Sequence, residues 1–509
     1  MAETLRLAEL IAALSLATDL GMGQPLEQAL RTCLIALSIG ERLDLSPEEL
    51  SEIYYVSLLR FLGCSADAHE AAQTAGGDEI ALRAAIAPVL GGAPSEFVPA
   101  VMPQIGRGQG PLRRARLVAV MMRSGRSRAR EGVRAHCELG ENLAQRLGLA
   151  AGVRAGLGAA FEQWNGQGFP NGLAGDAIPL AARVVFLARD VEVLQRQLGL
   201  DAATARVRKR SGASYDPAAA EALLQHADEV LENAAVNSPW DEVLRREPEP
   251  RPWVPEAKLD SVLSVFADFV DLKSPFTAGH SREVARLAGA ASAEGAQTLN
   301  RAALLHDLGR ASVPNGIWDK PGPLTDGEWE RVRLHAYYSE RILGRVGALQ
   351  GLARLAGLHH ERLDGSGYHR GCGKSDIPAP ARLLAAADAY QAMTQPRPHR
   401  AALSPERAAA ELEVMAARGG LDRDAVAAVL TAAGHQVKRS RGTWPAGLSE
   451  REVEVLRLIC RGKTKRQVAR ALSISPSTVD HHVRHVYEKA DVQTRAGATL
   501  FALEHDLLK

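Results

Sequence analysis

The sequence predicts an all-α protein in which two related helical domains precede a small four-helix domain. Three observations carry this expectation. Alanine, leucine and arginine dominate while aromatics make up only 5% of the chain, and the β-branched and aromatic runs that build strands are scarce. At 509 residues the chain is too long for one hydrophobic core, so several domains are expected. A constant offset of 199 residues lays one part of the chain on another, which marks an internal duplication.

Composition narrows the class. Hydrophobic residues at 46% and charged residues at 24% are ordinary for a globular protein. The five cysteines (Cys33, Cys64, Cys137, Cys372 and Cys460) are scattered and never form a C-x-x-C pair, which argues against a disulfide framework or a cysteine zinc site. Glu3 and Glu9 stand where a signal peptide needs a basic start, and no run of 18 apolar residues occurs. A cytoplasmic location with no membrane partner is expected. The net charge of +1 hides an asymmetry: from Gln436 onward there are fourteen Lys/Arg against eight Asp/Glu. A basic tail on a slightly acidic body suits a protein whose tail alone meets phosphates.

Two segments read as linkers. Between Arg245 and Pro255, four prolines in eight residues forbid helix. Gly434 to Pro445 is basic and polar around Lys438-Arg439-Ser440-Arg441-Gly442. They divide the chain into blocks 1–247, 256–433 and 446–509. The offset of 199 pairs the first two blocks. Val133-Arg134-Ala135-His136 falls on Val332-Arg333-Leu334-His335, and Glu162-Gln163-Trp164-Asn165-Gly166-Gln167-Gly168-Phe169 on Glu361-Arg362-Leu363-Asp364-Gly365-Ser366-Gly367-Tyr368. Ile178-Pro179 meets Ile377-Pro378, and Arg183 meets Arg382.

In the middle block His306-Asp307 closes the apolar helical run Ala302–Leu305, with His280, His335, His359, His360 and Asp388 elsewhere in the block. Clustered imidazoles and carboxylates suit a pair of divalent metals. Two such ions acidify a water and clamp the oxygens of a phosphoester. Together with Glu361 and the Asp364-Gly365-Ser366-Gly367-Tyr368 loop, these residues resemble the HD-GYP family of metal-dependent phosphohydrolases, across about 256–420. The resemblance implies an all-helical fold and hydrolysis of cyclic di-GMP or another phosphoester. It also implies His280, His306, Asp307, His335, His359, His360 and Asp388 as ligands of two divalent metal ions, with Asp307 bridging. Glu361 would orient a ligand histidine from behind. Iron or manganese suits the donor set better than magnesium or zinc. Two positions depart from the family: Arg310 replaces a lysine, keeping a cation for substrate phosphate but not a proton donor, and His369 replaces the proline of the Gly-Tyr-Pro motif.

The first block keeps His136 at the place of His335, but Ala160, Phe161 and Arg189 replace His359, His360 and Asp388. Across a length difference, Arg60-Phe61 matches His306-Asp307. This block resembles a degenerate HD-GYP-like domain, with a regulatory or dimerising role. A basic insertion between Gly106 and Arg130 reads as a solvated loop or helix face, or as a contact for a nucleotide or an acidic partner.

The last block opens with the capping box Ser449-Glu450-Arg451-Glu452. Gly462 ends that helix, Thr464-Lys465-Arg466-Gln467 is a second capping box, and Ser475-Pro476 starts a third helix with Val479, Val483 and Val486 inward. A short helix, a tight turn and a helix with a donor-rich outer face fit a major groove. The string closely resembles the LuxR/GerE-type helix-turn-helix. The resemblance implies that double-stranded DNA meets Ser477, Thr478, His481, His482, Arg484, His485 and Lys489, with Thr464 and Lys465 near phosphates. A fourth helix, Ala496–His505, would mediate a homodimer. The whole chain is thus expected to be a transcription regulator governed by a metal-dependent domain for a phosphorylated small molecule such as a cyclic dinucleotide. The alternative is a regulator whose metal site senses a nucleotide without cleaving it.

Overall fold

The computed structural model describes residues 5–92, 94–434, 444–505 and 507–508. Among the described residues the chain is mainly helical, with one two-stranded antiparallel ribbon that pairs Leu5–Arg6 with Trp253–Val254 and a few isolated β-bridges. It falls into two compact units, Met1–Leu259 and Asp260–Lys509.

In the first unit, a core of Leu10, Ile11, Leu14, Leu30, Leu34 and Ile35, each at most 1% exposed, gathers helices Leu7–Gly21, Gln28–Arg42, Pro47–Leu59 and Leu180–Leu198. The segment expected as a linker at 245–255 is strapped to this unit. Glu247 is 2% exposed, pairs with Arg6 and accepts a hydrogen bond from the Tyr55 hydroxyl at 2.7 Å. Prolines exclude helix there, but the ribbon and this buried carboxylate hold the chain in place. Most of the second expected linker, 435–443, lies outside the described residues.

The duplication is visible in matching contacts. Arg60 ends helix Pro47–Leu59, as His306 ends helix Ala296–Leu305, and each is followed by a 3₁₀ turn, Leu62–Ser65 or Leu308–Ser312. The turn crosses the partner helix so closely that a Cβ on Gly63 would lie 1.9 Å from the His136 carbonyl oxygen. On Gly309 it would lie 2.0 Å from that of His335. Only glycine permits either crossing. The Glu162 carboxylate accepts the amides of Asn171 and Leu173 at 2.7 and 3.1 Å, and Glu361 those of Arg370 and Cys372 at 3.1 and 3.0 Å. The expected basic insertion is the N-terminal half of one long helix, Pro111–Arg146.

The second unit carries the middle block and the C-terminal domain. In the latter, both expected capping boxes form at Ser449 and Thr464, and Ser475 accepts from the Thr478 amide at 3.0 Å. The four helices are Glu450–Cys460, Lys465–Leu472, Pro476–Ala490 and Arg495–Glu504. Two apolar clusters hold them: Val455, Val468, Ala469 and Val479 in one, and Leu456, Val486, Ala498 and Ala502 in the other.

Candidate functional site

The seven expected ligands come from five places in the second unit. His280 opens helix His280–Ala291, His306 caps Ala296–Leu305, and His335 lies within Asp326–Leu343. His359 and His360 follow Gln350–Gly357, and Asp388 lies within Ala379–Thr394. All converge. Asp307, His335, His359 and His360 form one group, and His280, His306 and Asp388 another, with ligand atoms in each within 4.8 Å of one another.

Asp307 stands between the groups. Its Oδ1 lies 3.3 and 3.5 Å from Nε2 of His335 and His359, and its Oδ2 lies 3.6 and 3.8 Å from Nε2 of His306 and His280. Asp388 joins His280 at 3.1 Å through Oδ1 and His360 at 3.6 Å through Oδ2.

Tautomers follow from the backbone. His306, His335 and His359 donate from Nδ1 to the carbonyls of Ala303, Val332 and Ala356 at 2.6, 2.5 and 2.6 Å. A carbonyl only accepts, so each neutral ring keeps its proton on Nδ1 and turns an Nε2 lone pair inward. Nε2 of His335 and of His359 face each other at 3.2 Å, an arrangement that calls for a cation between them. His306 Nε2 and Asp307 Oδ1 are buried with no hydrogen-bond partner, which is costly unless something else satisfies them. The residues fit two divalent cations.

Electrostatics agree. Burial pushes the His359 imidazole down to about 4 and also lowers His280 and His360, so these rings stay neutral and able to ligate. Burial works against charge on Asp307, yet the neighbouring His306, Arg310, His335 and His359 hold it well below the usual carboxylate range. Burial likewise opposes charge on Asp388, but His280 and its neighbours keep it well below that range too.

The remaining expected residues divide. Arg310 donates to Asp307 Oδ2 at 3.0 Å and lies over the Trp318 ring at 3.9 Å, so its guanidinium is committed to the central carboxylate. Glu361 anchors the amides of the 370–372 loop rather than a histidine ring. That loop places Tyr368 against His360, with ring centroids 4.2 Å apart. Gln395 was not anticipated: its Oε1 accepts from His280 Nδ1 at 3.1 Å, which leaves Nε2 for the centre. A glutamine 115 residues away carries no motif that would flag it. Arg397 follows the helix that carries Asp388. Its Nη1 donates to the Phe276 carbonyl at 3.2 Å, and burial with the nearby Arg310 lowers it to about 10.

In the first unit the equivalent position holds no ligand set. The Arg60 guanidinium sits 5.0–5.7 Å from the ring centroids of Phe186, Phe161 and Phe61. Arg189 pairs with Asp190 at 2.8 Å. Among the described residues, both groups able to hold a metal lie in the second unit.

On the third helix of the C-terminal domain, Ser477, His481, Arg484 and Lys489 are exposed, and Thr478, His482 and His485 are half-buried. Lys465 pairs with Asp480. Lys489 bonds Glu452 at 2.7 Å and so braces the first helix as well as facing outward. His481 and His485 stack with centroids 4.0 Å apart.

The family model for the HD domain matches residues 97–219 and again 264–425. That for bacterial regulatory proteins of the LuxR family matches 446–502. The chain is 34% identical over 423 residues to the 3′3′-cGAMP-specific phosphodiesterase 3 of Vibrio cholerae, covering 81% of this chain and 91% of that protein. A cyclic di-GMP phosphodiesterase of Thermotoga maritima is 34% identical over 165 residues, 31% of this chain and 44% of the relative. The crystal structure of a cyclic GMP-AMP-specific phosphodiesterase of V. cholerae superposes with a TM-score of 0.59 at 30% identity, covering 85% of this chain and 99% of that one. The chain belongs to the HD-domain family. It carries the domain in duplicate and ends in a LuxR-type domain.

Proposed function

We propose that the second HD domain is a metal-dependent phosphodiesterase for a 3′3′-cyclic dinucleotide, and that the state of its site governs DNA binding by the LuxR-type domain. The observation that carries the reading is Asp307, with one carboxylate oxygen turned to His335 and His359 and the other to His306 and His280. His280, His306 and Asp388 would hold one cation, His335, His359 and His360 the other, and Asp307 both. Two divalent ions, iron or manganese by the mixed nitrogen and oxygen donors, supply an acidified water and neutralise phosphoryl charge. Tyr368, stacked on His360, walls the site. Arg310 fixes Asp307, which leaves Arg397 as the nearby buried cation for substrate phosphate. Similarity to a 3′3′-cGAMP-specific enzyme over 81% of this chain, against 31% for a cyclic di-GMP enzyme, favours the mixed dinucleotide as substrate.

A route from site to DNA domain runs through Gly279, at φ +75° just before His280. A Cβ there would lie 2.7 Å from Leu503 of the fourth helix. Leu503 is 6% exposed yet belongs to neither apolar cluster of its own domain. Movement of His280 or of its partner Gln395 would therefore reach the DNA-binding domain.

The test is hydrolysis of 3′3′-cGAMP and of cyclic di-GMP by the manganese- or iron-loaded full chain. The expected result is turnover with a higher kcat/KM for 3′3′-cGAMP, lost by more than about a thousandfold in Asp307→Ala as the metals' several kcal/mol of stabilisation disappear. The second reading, a sensor, is favoured by the commitment of Arg310 to Asp307. No turnover by metal-replete protein, together with nucleotide-dependent DNA affinity, would establish it instead.

A further inference from the structure

The arginine-rich half of helix Pro111–Arg146 has no part in the site described above. Between Pro111 and Arg134 it holds eight arginines, no lysine and one acid, Glu131, although Met1–Leu259 as a whole has 32 acidic against 27 basic residues. Charge of one sign is thus gathered onto one element of an otherwise acidic unit. At 3.6 residues per turn, Arg116, Arg123, Arg126, Arg130 and Arg134 fall within about 80° of one another and form a row about 27 Å long. All five are exposed. None of the eight has a carboxylate partner among the described residues. Arg126 and Arg130 lie over the Phe169 ring at 5.7 and 5.6 Å, which fixes the middle of the row.

The opposite side of the helix decides what the row can meet. Leu117, Val118 and Met121 pack against Ala75, Leu82, Val101 and Ile105, so most of the apolar face is already covered, and the large apolar side chains left exposed on this helix are Leu112 and Met122. A helix that binds a lipid surface buries a continuous apolar face in the membrane, and two side chains about 15 Å apart along the axis do not make one. What remains is a straight row of guanidiniums, the group that best matches phosphate geometry. A nucleic-acid duplex carries about one charge per 1.7 Å of axis, a linear array long enough to engage the whole row.

We propose that this arginine row is a second nucleic-acid surface, which grips the phosphate backbone of duplex DNA without reading sequence. It is independent of the helix-turn-helix and adds affinity that depends on salt and not on sequence.

The test uses the full chain, a fluorescent random-sequence duplex and a salt series. Arg116, Arg123 and Arg134 are exposed and their side chains have no hydrogen bond, ion pair or ring contact among the described residues, so Arg116→Gln/Arg123→Gln/Arg134→Gln should retain the wild-type helix content and unfolding midpoint. Each lost phosphate contact removes about 0.9 from the slope of log K against log salt. The triple variant should therefore lose about 2.7 from the slope, and lose it again in a Lys465→Ala/Arg484→Ala background where the C-terminal domain is impaired. An unchanged slope overturns the proposal. So does complete loss of duplex binding in Lys465→Ala/Arg484→Ala alone, which leaves the helix-turn-helix as the whole interface. A triple variant that keeps the DNA slope but no longer binds phosphatidylserine vesicles overturns it in favour of a lipid surface. Unaltered binding in Lys465→Ala/Arg484→Ala with the slope lost in the triple variant supports this surface while removing the reading of the C-terminal domain.

Discussion

Arg60 and His306 end equivalent helices in two copies of one scaffold, and the exchange shows what losing a metal site requires of the residues left behind. Three nitrogens of the Arg60 guanidinium are buried without partners. Burial, and the nearby Arg189, lower it to about 9, and three phenylalanine rings supply the remaining stabilisation through their π faces. His136 is the one imidazole kept. Its Nε2–H donates to the Arg60 carbonyl at 2.9 Å, and burial lowers it to about 4. The unfolded chain binds that proton near pH 6.5 and the folded one only near 4, so the contribution of His136 is complete above 6.5 and fades as pH falls. By pH 5 the loss is about 2 kcal/mol. Denaturant unfolding of the metal-free chain should show His136→Gln with a shallower acid dependence than wild type. Parallel curves would refute the buried neutral ring. The clustering of the candidate ligand residues was legible in the sequence because few side chains can hold a metal. Gln395 and Trp318 were not, since their roles arise only when distant segments meet.

The loop from Glu361 to Cys372 shows the same limit at the scale of an element. Its glycines and tyrosine were readable as a motif, but the direction of the Glu361 carboxylate was not. That carboxylate accepts two loop amides, as Glu162 accepts their counterparts in the first copy, so its job is loop shape, common to a copy with the candidate ligand set and one without. Glu361→Gln should therefore retain metal while Tyr368 shifts on His360. Turnover should fall about ten- to a hundredfold, the scale of an ångström misplacement. Loss of metal in this variant would restore the expected histidine-orienting role. Helix boundaries in the C-terminal domain were read well, because capping boxes and Ser-Pro starts are local chemistry. The proline-rich strap at 245–255 was misjudged as a linker, because the partners of Glu247 lie about two hundred residues away.

For the whole molecule, duplication explains the layout: one copy retains all seven candidate ligand residues, the other a single histidine, and a LuxR-type domain follows. Offset and glycine spacing exposed the duplication without a structure, since they survive even where chemistry does not. The division of labour between the copies rests on one claim, that the second alone binds two metals through Asp307. Metal content of the purified full chain, by elemental analysis after loading with manganese or iron, tests it most directly. Two ions per chain are expected, lost in Asp307→Ala and unchanged in His136→Gln. A wild-type chain with none, or an Asp307→Ala chain that keeps both, would contradict it.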